Sequence, residues 1–416
     1  MIRCGDFCIY RSPAVNLEPP PPNPVTNEPV LKRRLVLFLA TSVGIIVANA
    51  YYVQPILAEL GREFALSPER AGQIVMTTQL GTALGMLTVV PLGDTRELRS
   101  LITALLGLAA CALIAMATAS SAQTLFFASF AVGMSTSIVH LIVPYAAHLA
   151  PESIRGRVVG TVLSGLLMGI LLARTFSGLT AGVFGWRGVY WVAATMMVTL
   201  AVLVYRWLPR RPPVVHLKYF VLLRSVLDLA RQHAALRESA VTSALLFAAF
   251  SALWTTLAFL LEAPPFGYGP EVAGLFGLVG AIGAAGAPIF GRLTDSIGAR
   301  AALVWALFLT LVGFIILGLF GRTISGLIIG ILVMDLGVQS GHVANQTRIY
   351  GIDPQARGRL NTAYMVTYFT GGATGSALGA FFWQHAGWLG VSTFAISVVA
   401  LGLAIMKRNT TVSVTA

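Results

Sequence analysis

Charged residues are scarce in this sequence. Asp, Glu, Lys and Arg make up 11% of its 416 residues, whereas hydrophobic residues make up 56%. Soluble domains contain about 25% charged and about 45–50% apolar residues, so this composition cannot cover a water-soluble surface. The scarcity of charge argues against a soluble enzyme and predicts an integral membrane protein.

The sequence also lacks the motifs of several function classes. Its cysteines, Cys4, Cys8 and Cys111, have no metal-ligand spacing, so neither a disulfide framework nor a zinc site is predicted. There is no GxxxxGKS or GxxxxGKT phosphate loop, which argues against direct use of ATP. Neither a nucleophile elbow nor an HExxH helix occurs, which argues against a membrane hydrolase. We therefore expect no cofactor and no metal.

What the sequence has instead is a series of long apolar runs. A helix needs about 20 mostly apolar residues to cross the ~30 Å hydrocarbon core of a bilayer. The predicted fold class is an all-α membrane protein with twelve transmembrane helices. The predicted helices are 35–58, 69–92, 100–119, 122–149, 158–183, 187–208, 238–262, 270–291, 299–320, 323–347, 361–384 and 388–406.

The net charge of +12 indicates membrane sidedness rather than nucleic-acid binding. Cytoplasmic loops of membrane proteins carry an excess of Lys and Arg. With the amino terminus inside, 23 of the 28 Lys and Arg residues are cytoplasmic, while only Arg62, Arg70, Arg187 and Arg322 are external and Arg174 lies within a helix. Miscounting by one helix would destroy this asymmetry. We expect a multi-pass protein of the plasma membrane, the inner membrane of a bacterium, with both termini in the cytoplasm.

The chain is predicted to divide into five segments. Residues 1–31 form a disordered cytoplasmic tail and 409–416 a second tail, while six-helix bundles at 32–208 and 238–408 are joined by a cytoplasmic linker at 209–237. A helix within the linker is amphipathic, and it either lies on the lipid of the inner leaflet or is a solvated connection. Its apolar face carries Leu223, Val226, Leu227 and Ala230, and its charged face Arg224, Asp228 and Arg231.

The two bundles repeat each other at a separation of about 202 residues. His140 matches His342, and Gly169 matches Gly371. The sequences RGR at 155–157 and GWxGV at 185–189 also recur at 357–359 and 387–391. Because six helices separate equivalent residues, the copies have the same orientation in the membrane. Parallel repeats of this kind enclose a central site between two rocking halves.

Two loops carry the resemblance to a known family. The sequences PLGDTRELRS at 91–100 and GRLTDSIGAR at 291–300 resemble the signature GxLxDRxGR of the major facilitator superfamily. The second copy keeps Gly291, Asp295, Gly298 and Arg300, while the first copy keeps Asp94 and Arg99 but has Val90 and Glu97 in place of glycines. The resemblance covers about residues 32–408. Within the superfamily, DLGVQ at 335–339 and ARGRLNTAY at 356–364 resemble bacterial drug:proton antiporters.

The resemblance implies a gate at the cytoplasmic ends of the helices. A carboxylate there can pair with arginines, or face a helix amino terminus, only while the inner mouth is closed. A purely topogenic role for the arginines is the alternative. The candidate gating residues are Asp94, Arg96, Arg99, Arg155, Arg157, Gly291, Asp295, Gly298, Arg300, Arg357 and Arg359.

A polar stripe on predicted helix 323–347 is the leading candidate for a transport pathway. Asp335, Gln339, His342 and Gln346 follow one another at i, i+4, i+7 and i+11, which keeps them on one face, with Asn345 beside them. Asp335 lies about 18 Å along the helix, near the middle of the bilayer. Such a face must meet protein or water, because lipid offers no polar partner. A structural contact between helices is the alternative role.

Arg174 is the second ionisable residue within a predicted helix. It belongs to the sequence GLLMGILLARTFSG, which resembles the antiporter signature GxxxGPxxGG only in its first half, where Gly165 and Gly169 occupy the first two glycine positions. Arg174 either extends outward to the membrane surface or pairs with Asp335.

Other polar and aromatic residues within predicted helices are further candidates for the cavity wall. Histidine titrates near neutral pH, so His140 and His342 are either proton carriers or parts of an inner gate or helix contact. Aromatic side chains wall amphipathic sites but also form interfacial belts. The further candidates are His140, Asn49, Tyr52, Gln54, Gln79, Trp254, Tyr364 and Tyr368.

Together these features predict a secondary transporter that exports small organic molecules, drug-like or sugar-like, in exchange for protons. The expected partners are the substrate, protons and membrane lipid, with no nucleic acid, and a monomer suffices for a pathway. Uptake by symport and a transport-dead receptor or scaffold remain alternatives, because a fold does not fix a function.

Overall fold

The computed structural model describes residues 33–210, 219–286, 296–353 and 356–412, and these residues are helical with short connections. The predicted tail 1–31 lies outside the described residues, as do Gly291, Asp295 and residues 413–416 of the second tail. The helices are α1 Arg33–Ala48, α2 Leu57–Glu63, α3 Pro68–Thr95, α4 Leu98–Ala117, α5 Ala122–Thr136, α6 Val139–Leu149, α7 Arg155–Trp207, α8 Tyr219–Gln232, α9 Ala234–Glu262, α10 Pro270–Ala285, α11 Ala299–Phe320, α12 Ile324–Tyr350 and α13 Arg357–Val412.

Two helices are far longer than a bilayer is thick. Helix α7 has 53 residues and α13 has 56, which at 1.5 Å per residue exceeds twice the ~30 Å hydrocarbon core. Each contains one glycine with non-helical backbone and positive φ, Gly185 at 70° and Gly387 at 58°. Positive φ favours glycine because it has no Cβ. The breaks fall in the two copies of the repeated GWxGV sequence, between pairs of predicted helices.

Eight helices in the described part of the chain are long and apolar enough to cross a membrane. They confirm an all-α, multi-pass membrane protein. The elements α7 and α13 each comprise two helices that meet at the glycine kink. The predicted number of twelve helices stays a prediction, because α10 ends beside residues that are not described.

Two predicted helices are interrupted rather than continuous. Residues 49–56 form turns between α1 and α2, where Tyr51 N–H bonds the carbonyl of Ala48, three residues back. Pro55 has no N–H to donate and its ring crowds the preceding turn. Similarly, Ser137 and Ile138 separate α5 from α6. The interruption at 49–56 places Asn49, Tyr52 and Gln54 in non-helical backbone at the core of the bundle.

The hydrophobic core has two clusters. One runs from Val36 to Leu208. The other runs from Leu236 to Met406 and also includes Ala58 and Met86. Residues 33–208 are called the first part of the chain and residues 234–412 the second part. The linker helix α8 packs on α3, α9 and α13, so it touches both parts. Its Val226 is buried whereas Leu227 is 55% exposed, so the predicted apolar face is only partly covered by the protein.

The distribution of arginines predicts which end of the helix bundle is external, and this end is called the outer end. The two parts of the chain approach each other closely there. The backbones of α7 and α10 meet at Gly178 and Gly274, where a Cβ added to Gly178 would lie 2.8 Å from the Cα of Gly274. Arg62 and Glu262 form an ion pair between the two parts. The outer end is therefore closed by close helix packing and a charge pair.

A second contact at the outer end lies within the first part. Glu63, beyond the predicted membrane span, accepts 2.5 Å hydrogen bonds from the indole of Trp186 and the guanidinium of Arg187. Desolvation acts to raise the pKa of Glu63, but these hydrogen bonds outweigh it and lower that pKa below its ordinary value. They tie α2 to the residues just after the break at Gly185.

A buried arginine, an aromatic wall and a buried aspartate

Arg174 and Asp335 are the two charged residues buried within the described part of the chain, and each is 3% exposed. Arg174 belongs to α7 in the first part and Asp335 to α12 in the second. An ionised group in hydrocarbon costs about 2.5–3.5 kcal/mol on insertion scales. Their burial at the contact between the two parts therefore needs compensating interactions.

Arg174 is compensated by an amide and by aromatic rings. Its Nε donates a 2.7 Å hydrogen bond to Oε1 of Gln54. Its guanidinium carbon lies 3.9 Å from the ring centre of Trp254, 5.0 Å from that of Tyr51 and 5.5 Å from that of Phe250. Desolvated cation–π contacts contribute about 2 kcal/mol or more. The expectation that Arg174 extends to the membrane surface is wrong, because these contacts hold it inside.

Asp335 lies beside Trp254, against α10. A Cβ added at Gly280 would collide with Oδ2 of Asp335 and lie 2.9 Å from Cζ2 of Trp254. A Cβ at Gly283 would lie 3.1 Å from the Cβ of Asp335. The absence of side chains on α10 thus makes room for the carboxylate and the indole side by side.

Arg174 uses the same glycine-rich helix. A Cβ at Gly277 would lie 2.9 Å from the Cβ of Arg174. Gly277 and Gly280 are three residues apart and share a face of α10. They let an arginine from one part and an aspartate from the other approach adjacent turns of one helix.

The two buried charges interact without direct contact. Each influences the electrostatic environment of the other, but no Arg174 nitrogen lies within the 4.0 Å of an Asp335 oxygen that defines an ion pair. The indole N–H of Trp254 is close enough to affect the carboxylate, yet it does not meet hydrogen-bond geometry. Trp254 therefore contacts the guanidinium of Arg174 and also lies beside the carboxylate of Asp335.

Several polar atoms around this pair have no hydrogen-bond partner within the described protein. Leaving a buried polar atom unpaired costs about 1–3 kcal/mol, more for a charged group. The unpaired atoms are Nη2 of Arg174, Nε2 of Gln54, Oδ1 of Asn49, Nε1 of Trp254 and Oδ1 of Asp335. Arg174, Gln54 and Trp254 contact one another, so a bound ligand that meets their unpaired atoms would offset this cost.

His342 of the predicted stripe on α12 belongs to a second polar cluster. Nδ1 of His342 lies 3.0 Å from the hydroxyl of Tyr364, which lies 2.6 Å from the hydroxyl of Ser243. The ring of Tyr368 is 5.0 Å from that of His342. His140 is close enough for its charge to influence His342. The structure thus brings the two repeat-related histidines together with both predicted tyrosines.

The remaining candidates divide between this region and ordinary packing. Asn345 is fully buried, and its Oδ1 accepts a 3.4 Å hydrogen bond from Thr242. Asn49 Nδ2 contacts the sulfur of Met197 at 3.3 Å, and the Tyr52 ring lies 5.4 Å from that of Phe176. Gln79 is also buried, while Gln339 and Gln346 are half-buried.

The candidate gating arginines contact the part of the chain to which they belong. Arg99 Nη1 is 3.5 Å from the carbonyl of Leu208, and Arg155 Nε is 3.2 Å from that of Ala147. Arg357 Nε is 3.3 Å from the carbonyl of Tyr350. Gly298 has φ of 85° just before α11. Arg96, Arg157 and Arg359 are exposed. The Asp94 side chain, Gly291 and Asp295 lie outside the described residues, so the gate stays a prediction.

Sequence reasoning missed Glu238 and the role of Gly280. Glu238, at the start of α9, is 2.8 Å from Arg348 and 3.5 Å from Arg300, and Arg300 also bonds the carbonyl of Met406 at 2.8 Å. This cluster joins four helices at the predicted cytoplasmic end. A lone acidic residue among basic ones was the available signal for Glu238. Gly280 had no such signal, because its importance depends on what packs against it.

Buried ionisable residues between two parts of a membrane-helix bundle are typical of the substrate and ion pathways of transporters. The family model for the Major Facilitator Superfamily matches residues 39–349. The chain therefore belongs to the major facilitator superfamily.

Relatives and solved structures agree with this assignment. The uncharacterized transporter YgaY of Escherichia coli O157:H7 is 43% identical over 379 residues, covering 91% of this chain and 96% of that protein. A probable transporter of Streptomyces coelicolor is 32% identical over 376 residues, covering 89% and 86%. A bacterial homolog of the human lysosomal transporter Spinster, in an inward-facing and unoccupied conformation, has a TM-score of 0.74 at 14% identity, covering 90% of this chain and 95% of that chain. A mutant of the nucleoside transporter NupG has a TM-score of 0.73 at 12% identity, covering 89% and 99%. These structural likenesses show the fold alone.

Proposed function

We propose that this transporter exports small organic molecules from the bacterial cytoplasm in exchange for protons, by alternating access, with both termini in the cytoplasm. The observation that carries the proposal is Asp335, a carboxylate that is 3% exposed and has an unpaired oxygen at the contact between the two parts of the chain. A buried carboxylate that can be neutralised by a proton is the simplest coupling group in a membrane.

The separation of the buried charges supports alternating access. Arg174 moves with the first part of the chain, whereas Asp335 and Trp254 move with the second. Rocking of one part against the other changes the distance between the charges, and thereby changes how readily Asp335 holds a proton. Proton affinity and access are then linked through one motion.

Exchange follows if substrate and proton compete for Asp335. A substrate that donates hydrogen bonds to the ionised carboxylate binds only after the proton has left. When Asp335 is protonated again from the other side, the substrate is released. The same residues could instead bind both together, which would give uptake by symport, so direction is decided by experiment.

The test is a substrate screen in inside-out vesicles with a pH-sensitive dye, comparing the wild type with Asp335→Asn. We expect the substitution to abolish proton-linked flux while the protein remains folded. Arg322→Gln, which removes an exposed charge at the start of α12, is the matched control and should leave flux unchanged. Unchanged flux in Asp335→Asn would remove Asp335 from coupling.

Two further outcomes separate the alternatives. Counterflow in vesicles of known orientation distinguishes export by exchange from uptake by symport. A receptor or scaffold predicts no solute flux in purified proteoliposomes for any compound.

A further inference from the structure

The buried site is electrically balanced. It contains one cation, Arg174, and one anion, Asp335, each 3% exposed and each close to the indole of Trp254. In this conformation both charges are closed off from water. A ligand that binds here must therefore be accommodated without the large dielectric screening that water provides.

This balance selects against ligands with a net charge. A singly charged anion beside Arg174 would leave Asp335 without its partner, and a singly charged cation beside Asp335 would leave Arg174 without one. Removing one partner of a buried charge pair is strongly unfavourable, because it leaves the other charge buried without compensation. A ligand with one positive and one negative group preserves the balance, because it adds a counter-charge for each.

The unpaired atoms give the site a polarity that matches such a ligand. On the Arg174 side two donors are unpaired, Nη2 of Arg174 and Nε2 of Gln54. At Asp335 one acceptor is unpaired, Oδ1. Donors from Arg174 and Gln54 suit a carboxylate, and the carboxylate of Asp335 suits an ammonium group.

From this arrangement we propose that the substrate is a dipolar small molecule of zero net charge, whose carboxylate binds Arg174 and Gln54 and whose ammonium group binds Asp335. The rings of Trp254, Tyr51 and Phe250 form the apolar wall on the arginine side. The inference rests on the proposed function and specifies its substrate class. An ammonium group at Asp335 competes with a proton there, which agrees with exchange.

The experiment uses sets of compounds that differ only in charge. Phenylalanine, N-acetylphenylalanine and phenylalanine methyl ester form one set of dipolar, anionic and cationic members, and the corresponding leucine compounds form a second set. Binding to the purified full chain is measured as a concentration-dependent rise in the thermal unfolding midpoint, which reports ligand affinity for the folded state. We expect the dipolar members to stabilise the wild type most.

Charge-altering variants should change this preference in opposite directions. Arg174→Gln leaves one negative charge and should favour the cationic members, whereas Asp335→Asn leaves one positive charge and should favour the anionic members, each by on the order of 10-fold in relative affinity. The control Arg322→Gln should keep the wild-type order. If the first two variants do not fold, Gln54→Glu adds a negative charge beside Arg174 and should favour the cationic members.

Two results would overturn the inference. One is stronger stabilisation of the wild type by singly charged members than by dipolar ones. The other is an unchanged order of preference in every folded variant of the charge pair. Neither result bears on proton coupling. If a singly charged solute showed proton-linked flux that was lost in Asp335→Asn, the proposed function would stand, whereas the dipolar substrate class would be wrong.

Discussion

The fit of Asp335 against α10 leads to a prediction about Gly280. The change is Gly280→Ala, which adds one methyl group to a helix whose glycine at this place contacts the buried aspartate. The new Cβ would collide with Oδ2 of Asp335 and lie 2.9 Å from Cζ2 of Trp254. Since Asp335 has a short side chain and Trp254 is 2% exposed, neither can move aside freely.

The expected magnitude follows from overpacking. Extra methyl groups in a packed interior typically cost about 1–3 kcal/mol. If the strain is relieved by moving the carboxylate or the indole, the loss falls on the transport cycle, and about 1.4 kcal/mol corresponds to a tenfold change in rate. We therefore expect proton-linked flux to fall by about tenfold or more.

The assay is flux in vesicles together with the thermal unfolding midpoint of the same variant. The matched control is Gly107→Ala on α4, where an added Cβ would meet nothing within 4 Å, so flux should stay at the wild-type level. Wild-type flux and an unchanged midpoint in Gly280→Ala would show that Asp335 is not held tightly against α10. The reasoning about the buried pair would then be wrong.

Three further predictions concern charges outside the buried pair. Glu238→Gln removes an anion shared by two arginines and should lower the free energy of unfolding by about 2–3 kcal/mol, measured as a drop in the unfolding midpoint. The control Glu152→Gln, at a side chain that is 90% exposed, should have little effect. Equal midpoints for the two variants would contradict the role of Glu238. Glu262→Gln breaks the ion pair with Arg62 at the outer end, where both side chains are partly exposed. Because exposed pairs contribute ~1 kcal/mol, the rate of labelling of cysteines introduced there should rise about fivefold or less. A much larger rise would mean that this pair alone closes the outer end. Because the pKa of Glu63 is lowered in the fold, its contribution to stability is present above its unfolded pKa of about 4.3 and is lost as pH falls through the folded pKa. Between pH 7 and pH 3, the unfolding midpoint of the wild type should therefore fall more than the midpoint of Glu63→Gln. Parallel curves for the two proteins would refute the assignment.

Much of the fold could be predicted because its signals are local. Apolar runs of bilayer length are visible residue by residue, and the repeated GWxGV sequence marks the places where α7 and α13 break at Gly185 and Gly387. The interruption at 49–56 could not be placed in the same way. A proline within an apolar run is compatible with either a kinked or a broken helix, and the choice depends on what packs around the freed backbone groups.

The candidate site was predicted only in part. The stripe from Asp335 to His342 follows from helical spacing, and the structure places Tyr364 and Tyr368 beside it. Arg174 was identified as unusual, but its direct partners were not predicted: it stacks on Trp254 and bonds Gln54, and it interacts with Asp335 without direct contact. Those partners come from distant parts of the chain, and helical spacing says nothing about which helices are neighbours.

The sequence by itself determined that the chain spans a membrane, that it is helical and that it is built from a repeat. It also indicated that a carboxylate within a membrane span has a functional or structural role. These properties follow from composition, periodicity and the cost of charge in hydrocarbon, which act on each segment separately. Only the tertiary structure decided that Arg174 and Asp335, from different parts of the chain, both lie beside one indole, and that Gly277 and Gly280 make room for them. Close approach between helices depends on the shapes of both surfaces, so no single segment contains that information.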